Sequence, residues 1–135
     1  IQEGKAGEKL VPGKAWIAPG DYHMVLEQKA DGVYLKTNQD PQENSCRPAV
    51  DPLFRSVAEI YGAKTLSVIL TGMGQDGLIG CEHVKDAGGQ VIVQDEESSV
   101  VWGMPGFVAR AGLADEILPL NQIGQKIISK LKVGR

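Results

Sequence analysis

The chain has 135 residues, 42% of them apolar and 23% charged, which suits one soluble-type domain with a real core and is too little for two ordinary ones. Its net charge of −3 lacks the electrostatic footprint of a nucleic-acid binder. The longest apolar run, residues 66–70, contains Ser67 and is far too short to span a bilayer, so membrane insertion is excluded at this level.

Residues 1–12 are polar and form a lead-in that ends in the turn Val11-Pro12-Gly13. Residues 14–18 read as a short strand stopped by Pro19-Gly20. Residues 23–28 and 33–37 are strand-like, and Asp31-Gly32 between them is a hairpin signal. A polar loop with Pro41 and Pro48 follows. Val50, Leu53, Phe54, Val57 and Tyr61 then share one face of a helix, which Gly62 stops. Residues 65–71 read as a strand buried on both faces, as in a parallel sheet. This strand enters Gly72-Met73-Gly74-Gln75-Asp76-Gly77, from which a helix runs to Ala87 and ends at Gly88-Gly89. Residues 90–94 form a second parallel-type strand. A loop from Asp95 leads to a short helix over residues 105–111, opened by Pro105 and broken by Gly112. Residues 116–119 are a short extended piece. Asn121 caps a last helix whose apolar face is Ile123, Ile127, Ile128 and Leu131.

Strands alternating with helices predict an α/β fold with a mainly parallel sheet. Ligands and catalytic groups in such sheets gather at the carboxyl ends of the strands, which selects the loops after Thr71 and after Gln94. The two cysteines, Cys46 and Cys81, have neither metal-site nor disulfide-framework spacing and read as free thiols in a reducing cytoplasm.

The loop after Thr71 admits two chemistries. Gly72, Gly74 and Gly77 fit GxGxxG between a strand and a helix, with Asp95 18 residues past Gly77, which is the pattern of a dinucleotide-binding module. Asp76 weighs against it, because a carboxylate at the helix start competes with pyrophosphate for the same positive end. A carboxylate so placed suits the third member of a Ser-His-Asp triad, which holds the imidazole tautomer and balances its charge. It equally suits a plain helix cap.

Four segments taken together resemble the chemotaxis protein-glutamate methylesterases, the CheB family. Residues 16–24 are similar to that family's "IAPGD-x-HM" stretch, and residues 47–54 to its "RP-S/A-VD-x-LF" helix start. Residues 68–77 resemble "VILTGMG-x-DG", and residues 101–105 resemble "V-x-GMP". All four occur in family order. The resemblance implies an α/β fold, doubly wound, with a mainly parallel sheet and an inserted β-hairpin. It implies hydrolysis of glutamate γ-methyl esters on the cytoplasmic helices of methyl-accepting chemoreceptors, with glutamine deamidation in many members and no cofactor. A receiver domain usually stands upstream in the same polypeptide. Carried over by position, Asp76 is the triad aspartate and the backbone N–H of Met73 belongs to the oxyanion hole.

The family's serine and histidine motifs, "GAS-T/A-GG" and "QH-M/Q", are missing from residues 1–135. No serine here sits in a GxSxG elbow. His23 matches the family's hairpin histidine, for which a structural role is expected, and His83 is expected on a solvated helix face. The chain therefore reads as the C-terminal portion, residues 1–135, of one methylesterase catalytic domain without its first βα units. Lost first strands would leave sheet edges and apolar faces exposed. Arg47 is expected either to face a receptor carboxylate or to form a salt bridge, for instance to Asp51; Trp102 either lines the cleft or enters the core. Beside the hydrolase stand two other hypotheses: the dinucleotide module and a non-catalytic receptor-interaction domain.

Overall fold

The computed structural model describes residues 1–133. Seven strands and four helices follow in order: β1 (Gln2–Glu3), β2 (Trp16–Ile17), β3 (His23–Lys29), β4 (Gly32–Asn38), α1 (Val50–Tyr61), β5 (Leu66–Ile69), α2 (Leu78–Asp86), β6 (Gln90–Gln94), α3 (Met104–Arg110), β7 (Glu116–Leu118) and α4 (Leu120–Val133). A single 3₁₀ turn, Gly62–Lys64, joins α1 to β5.

The strands β5, β6 and β7 form a parallel three-stranded sheet with β6 in the middle. Alternation along β6 sends Val91 and Val93 to one face and Ile92 and Gln94 to the other, and all four are buried. Val91 and Val93 pack with Ile69 of β5, Cys81 and Val84 of α2, Val108 of α3 and Ala58 of α1. A strand buried on both faces reads as a continuous apolar run, as residues 91–93 do. Among the described residues β5 pairs on one edge only. The hairpin β3–β4 is a separate antiparallel sheet, Lys29 opposite Gly32, and α1 packs against β3 on one side and α2 on the other.

Three expectations are corrected. The lead-in is more than a polar entry: β1 pairs in parallel with β2, and residues 7–10 run along β4. Leu35 N–H donates to Glu8 O at 2.8 Å and Leu10 N–H to Val33 O at 2.8 Å. Backbone groups beside a strand edge pair with it whatever the side chains are. Next, α4 starts at Leu120, so Asn121 lies inside the helix and is not its cap. Ser98 Oγ, from a loop 22 residues away, accepts the Leu120 N–H at 3.0 Å instead. Finally, the apolar face of α4 is only partly used: Ile123 is buried, whereas Ile128 and Leu131 are more than half exposed.

Candidate active site

The turn after β5 is fastened from the loop after β6. Gln94, fully buried, accepts the Thr71 N–H at its Oε1 at 2.8 Å and donates from Nε2 to Ser98 O at 2.8 Å. Thr71 Oγ1 donates to Val101 O at 3.0 Å and accepts the Val101 N–H at 2.9 Å. Gly72 O accepts from the N–H groups of Gly103 and Met104 at 3.1 and 2.9 Å. A Cβ on Gly103 would lie 2.8 Å from Gly72 O and 2.9 Å from Gly74 N, so only glycine allows this approach. The result is a braced turn on which Met73 carries a side chain 82% exposed. None of the described hydrogen bonds uses the Met73 N–H.

Asp76 is buried, and its carboxylate serves a helix other than the one it precedes. Oδ2 accepts the Val50 N–H at 2.7 Å, and Oδ1 accepts the Asp51 N–H at 3.1 Å. Asp76 thus caps α1, supplying the first turn of a helix whose own N-cap residue, Ala49, has no side-chain acceptor. The exchange is reciprocal. Asp51, in the first turn of α1, accepts at Oδ1 from Gly77 N–H and Gly80 N–H at 3.0 and 2.7 Å, where α2 begins. Gly80 permits the crossing, because a Cβ there would lie 2.6 Å from the Cβ of Phe54 on α1. Asn44 Nδ2 joins the two carboxylates, donating to Asp51 Oδ2 at 2.8 Å and to Asp76 Oδ1 at 3.0 Å.

The loop carrying Asn44 is held at several points. Arg47 forms a salt bridge to Asp21 at 2.8 Å and donates to the carbonyls of Gln39 and Asp40. Its partner is therefore Asp21 and not Asp51, which is committed to the N–H groups of Gly77 and Gly80 and to the Asn44 amide. Arg55 grips Glu43 with two bonds of 2.8 and 2.6 Å, which holds the Glu43 carboxyl below its usual range. His23 is buried, with Nε2 3.0 Å from Pro41 O and Nδ1 accepting the Ala49 N–H at 3.3 Å. An accepting Nδ1 assigns the proton to Nε2, and both ring nitrogens are then occupied. His83 is exposed on α2. Trp102 is half-buried; its Nε1–H donates to Gln94 O at 2.8 Å and the Arg110 guanidinium lies 5.2 Å from its ring. It belongs neither wholly to the core nor to an open cleft wall. A cleft lined by Asp95, Ser98, Leu120 and Asn121 shares no residue with the Asp76 arrangement.

The structure thus brings Asp76 and the Met73 turn to the carboxyl end of β5, where strand order had placed the chemistry. Among the described residues no serine hydrogen-bonds a histidine; Ser67 donates to Gln90 O and Ser56 to Leu53 O. Comparison with known proteins identifies the family. A family model described as CheB methylesterase matches residues 1–127. The chain belongs to the CheB methylesterase family. It is 56% identical over 131 residues to a protein-glutamate methylesterase/protein-glutamine glutaminase of Trichodesmium erythraeum, covering 97% of this chain and 37% of that protein. A protein of the same description from Azospirillum brasilense is 57% identical over 127 residues, covering 93% and 32% respectively. The crystal structure of the Thermotoga maritima CheB methylesterase catalytic domain superposes with a TM-score of 0.92 at 45% identity, over 94% of this chain and 67% of that one. This chain therefore spans about a third of those two relatives and two thirds of a solved catalytic domain. The fold is that of the family: α/β, with a mainly parallel sheet and the inserted hairpin.

Sequence reasoning named Asp76 and Met73 but passed over Asn44 and Gln94, and it gave Asp51 only a surface-type role. The available signal for Asp51 was its place in the first turn of α1, where an acid meets free N–H groups. Asn44 carries no such signal, since its partners are 7 and 32 residues away.

Proposed function

We propose that this chain supplies the aspartate and one oxyanion donor of a Ser-His-Asp hydrolase that cleaves glutamate γ-methyl esters, and γ-amides of glutamine, on chemoreceptor cytoplasmic helices. The observation that carries the reading is the state of Asp76. Three N–H donors, from Val50, Asp51 and Asn44, engage a carboxylate that has about four acceptor sites, which leaves one on Oδ2. An imidazole Nδ1–H fits that site and would be held in the tautomer that leaves Nε2 free to act as base. The Met73 N–H, on a turn braced by Gly103 and Gln94, is a donor already fixed in space for a tetrahedral oxyanion.

In this reading a serine hydroxyl attacks the γ-carbonyl and its proton passes to the histidine. The same proton then leaves with methanol, or with ammonia from an amide, and water releases the acyl group as a glutamate carboxylate. The serine and histidine come from outside these 135 residues, because neither histidine here is placed to serve and no GxSxG or GAS-type loop is present. A receiver domain in the same polypeptide and a cytoplasmic site of action complete the proposal.

The dinucleotide reading loses its seat. The N–H groups of Gly77 and Gly80 at the start of α2 are taken by Asp51, and α1 lies across that helix end. The test is methanol release from a methylated receptor. The 135-residue chain alone is expected to release none, and the complete polypeptide containing it is expected to turn over. Turnover by the chain alone would show that the nucleophile and base lie within it.

A further inference from the structure

Asp51 and Asp76 bring two buried carboxylates to the place where the N-termini of α1 and α2 meet, with relative exposures of 1% and 7%. Like charges so placed repel more strongly than in water and need donors between them. Asn44 provides these from a single amide nitrogen, whose two N–H groups match one contact to each carboxylate. The other donors to Asp76 are consecutive backbone N–H groups of one helix turn, those of Val50 and Asp51. Asn44 reaches the carboxylate from a different element, so it fixes the carboxylate plane that two neighbouring donors would let rock.

We propose that Asn44 is a positioning residue: by bridging Asp51 and Asp76 it sets the plane of the Asp76 carboxylate and assigns the remaining acceptor site, on Oδ2, to the imidazole. The proposal rests on Asp76 being the triad aspartate. Its loop is built for the task. Asn44 and Ser45 both have left-handed backbones, φ 55° and 63°, a conformation that asparagine tolerates better than most residues. The Arg55–Glu43 pair immediately before Asn44 and the Arg47–Asp21 pair after it hold that bend in place.

The experiment is a double-mutant cycle in the complete polypeptide, reading kcat, KM and thermal midpoint with methylated receptor. Asn44→Gly removes the amide and keeps the backbone preference; Asn44→Asp keeps size and shape but replaces the donor by an acceptor. Each is expected to lower kcat roughly tenfold or more, as loss of a hydrogen bond to a charged acceptor does, with KM within about twofold. In the Asp76→Asn background the same substitutions are expected to change kcat by less than about twofold, because their effect runs through the Asp76 carboxylate. Equal losses in both backgrounds, or a parental kcat in either Asn44 variant, would overturn the proposal. Should Asn44→Gly fail to fold, Asn44→Asp decides alone. An Asp76→Asn enzyme with parental activity would instead remove the triad reading itself, so the two failures are told apart.

Discussion

Replacing Asp76 by asparagine separates a catalytic carboxylate from a helix cap, and the hydrogen bonds around it set the scale. An amide offers one oxygen where the carboxylate offers two. With the amide oxygen in the place of Oδ1, it still receives Asp51 N–H and the Asn44 amide, but the new NH₂ faces the Val50 N–H across a contact of 2.7 Å. One buried donor is orphaned in this orientation, against two in the flipped one, and the smaller loss costs about 1–3 kcal/mol. The first turn of α1 also loses a charge–dipole contribution of roughly 0.3–1 kcal/mol. A stability loss near 2 kcal/mol corresponds to a fall in Tm of about 4–8 °C for a domain of ordinary catalytic size. That leaves a typical domain folded at assay temperature. With Asp76 as the proposed triad aspartate, the expected catalytic effect is larger: the wrong histidine tautomer would lower kcat by up to about 10⁴-fold, or roughly 5 kcal/mol of barrier. Methanol release and thermal midpoint are to be measured on the same preparation of the complete polypeptide. A variant that melts several degrees lower yet keeps kcat within a few-fold of the parent would show that Asp76 only caps α1, and the assignment of the site would fall.

Gly103→Ala drives a Cβ to 2.8 Å from Gly72 O, a backbone atom that cannot swing aside; overpacking of about 1–3 kcal/mol and a displaced Met73 turn are expected, seen as a lower kcat with a smaller change in KM. Unaltered kcat would detach that turn from the chemistry. Calorimetric titration with NAD or NADP is expected to show no saturable binding, since Asp51 fills the helix start that a pyrophosphate needs; micromolar binding would restore the dinucleotide reading. Glu43 is depressed in the folded state by Arg55, so its contribution to stability is fully present above the ordinary carboxyl value of 4.5 and is lost as pH falls through the lower folded value. Glu43→Gln is expected to flatten that part of the acid limb in urea titrations, and an unchanged acid limb would show that the pair contributes nothing.

The sequence by itself determined what is local or periodic. The 3.6-residue spacing of Val50, Phe54, Val57 and Tyr61 placed α1; the apolar runs around Val68 and Ile92 placed β5 and β6; Asp31-Gly32 placed the hairpin turn. It also carried the family, because four short motifs in order are a linear property of the chain. Only the tertiary structure decided which helix Asp76 serves. From the sequence its carboxylate belongs to the helix two residues ahead, yet it binds Val50 and Asp51, 26 and 25 residues back, while Asp51 returns the favour at Gly77 and Gly80. The reason is geometric: α1 crosses the start of α2 so closely, over Gly80 and Phe54, that each helix's free N–H groups meet the other's acid before its own. Likewise Ser98 caps α4 in place of Asn121, and Asn44 gains a role from two carboxylates that no spacing rule connects. Hydrogen-bond partners are chosen by distance in space, and pattern along the chain records that distance only within a helix turn or a strand pair.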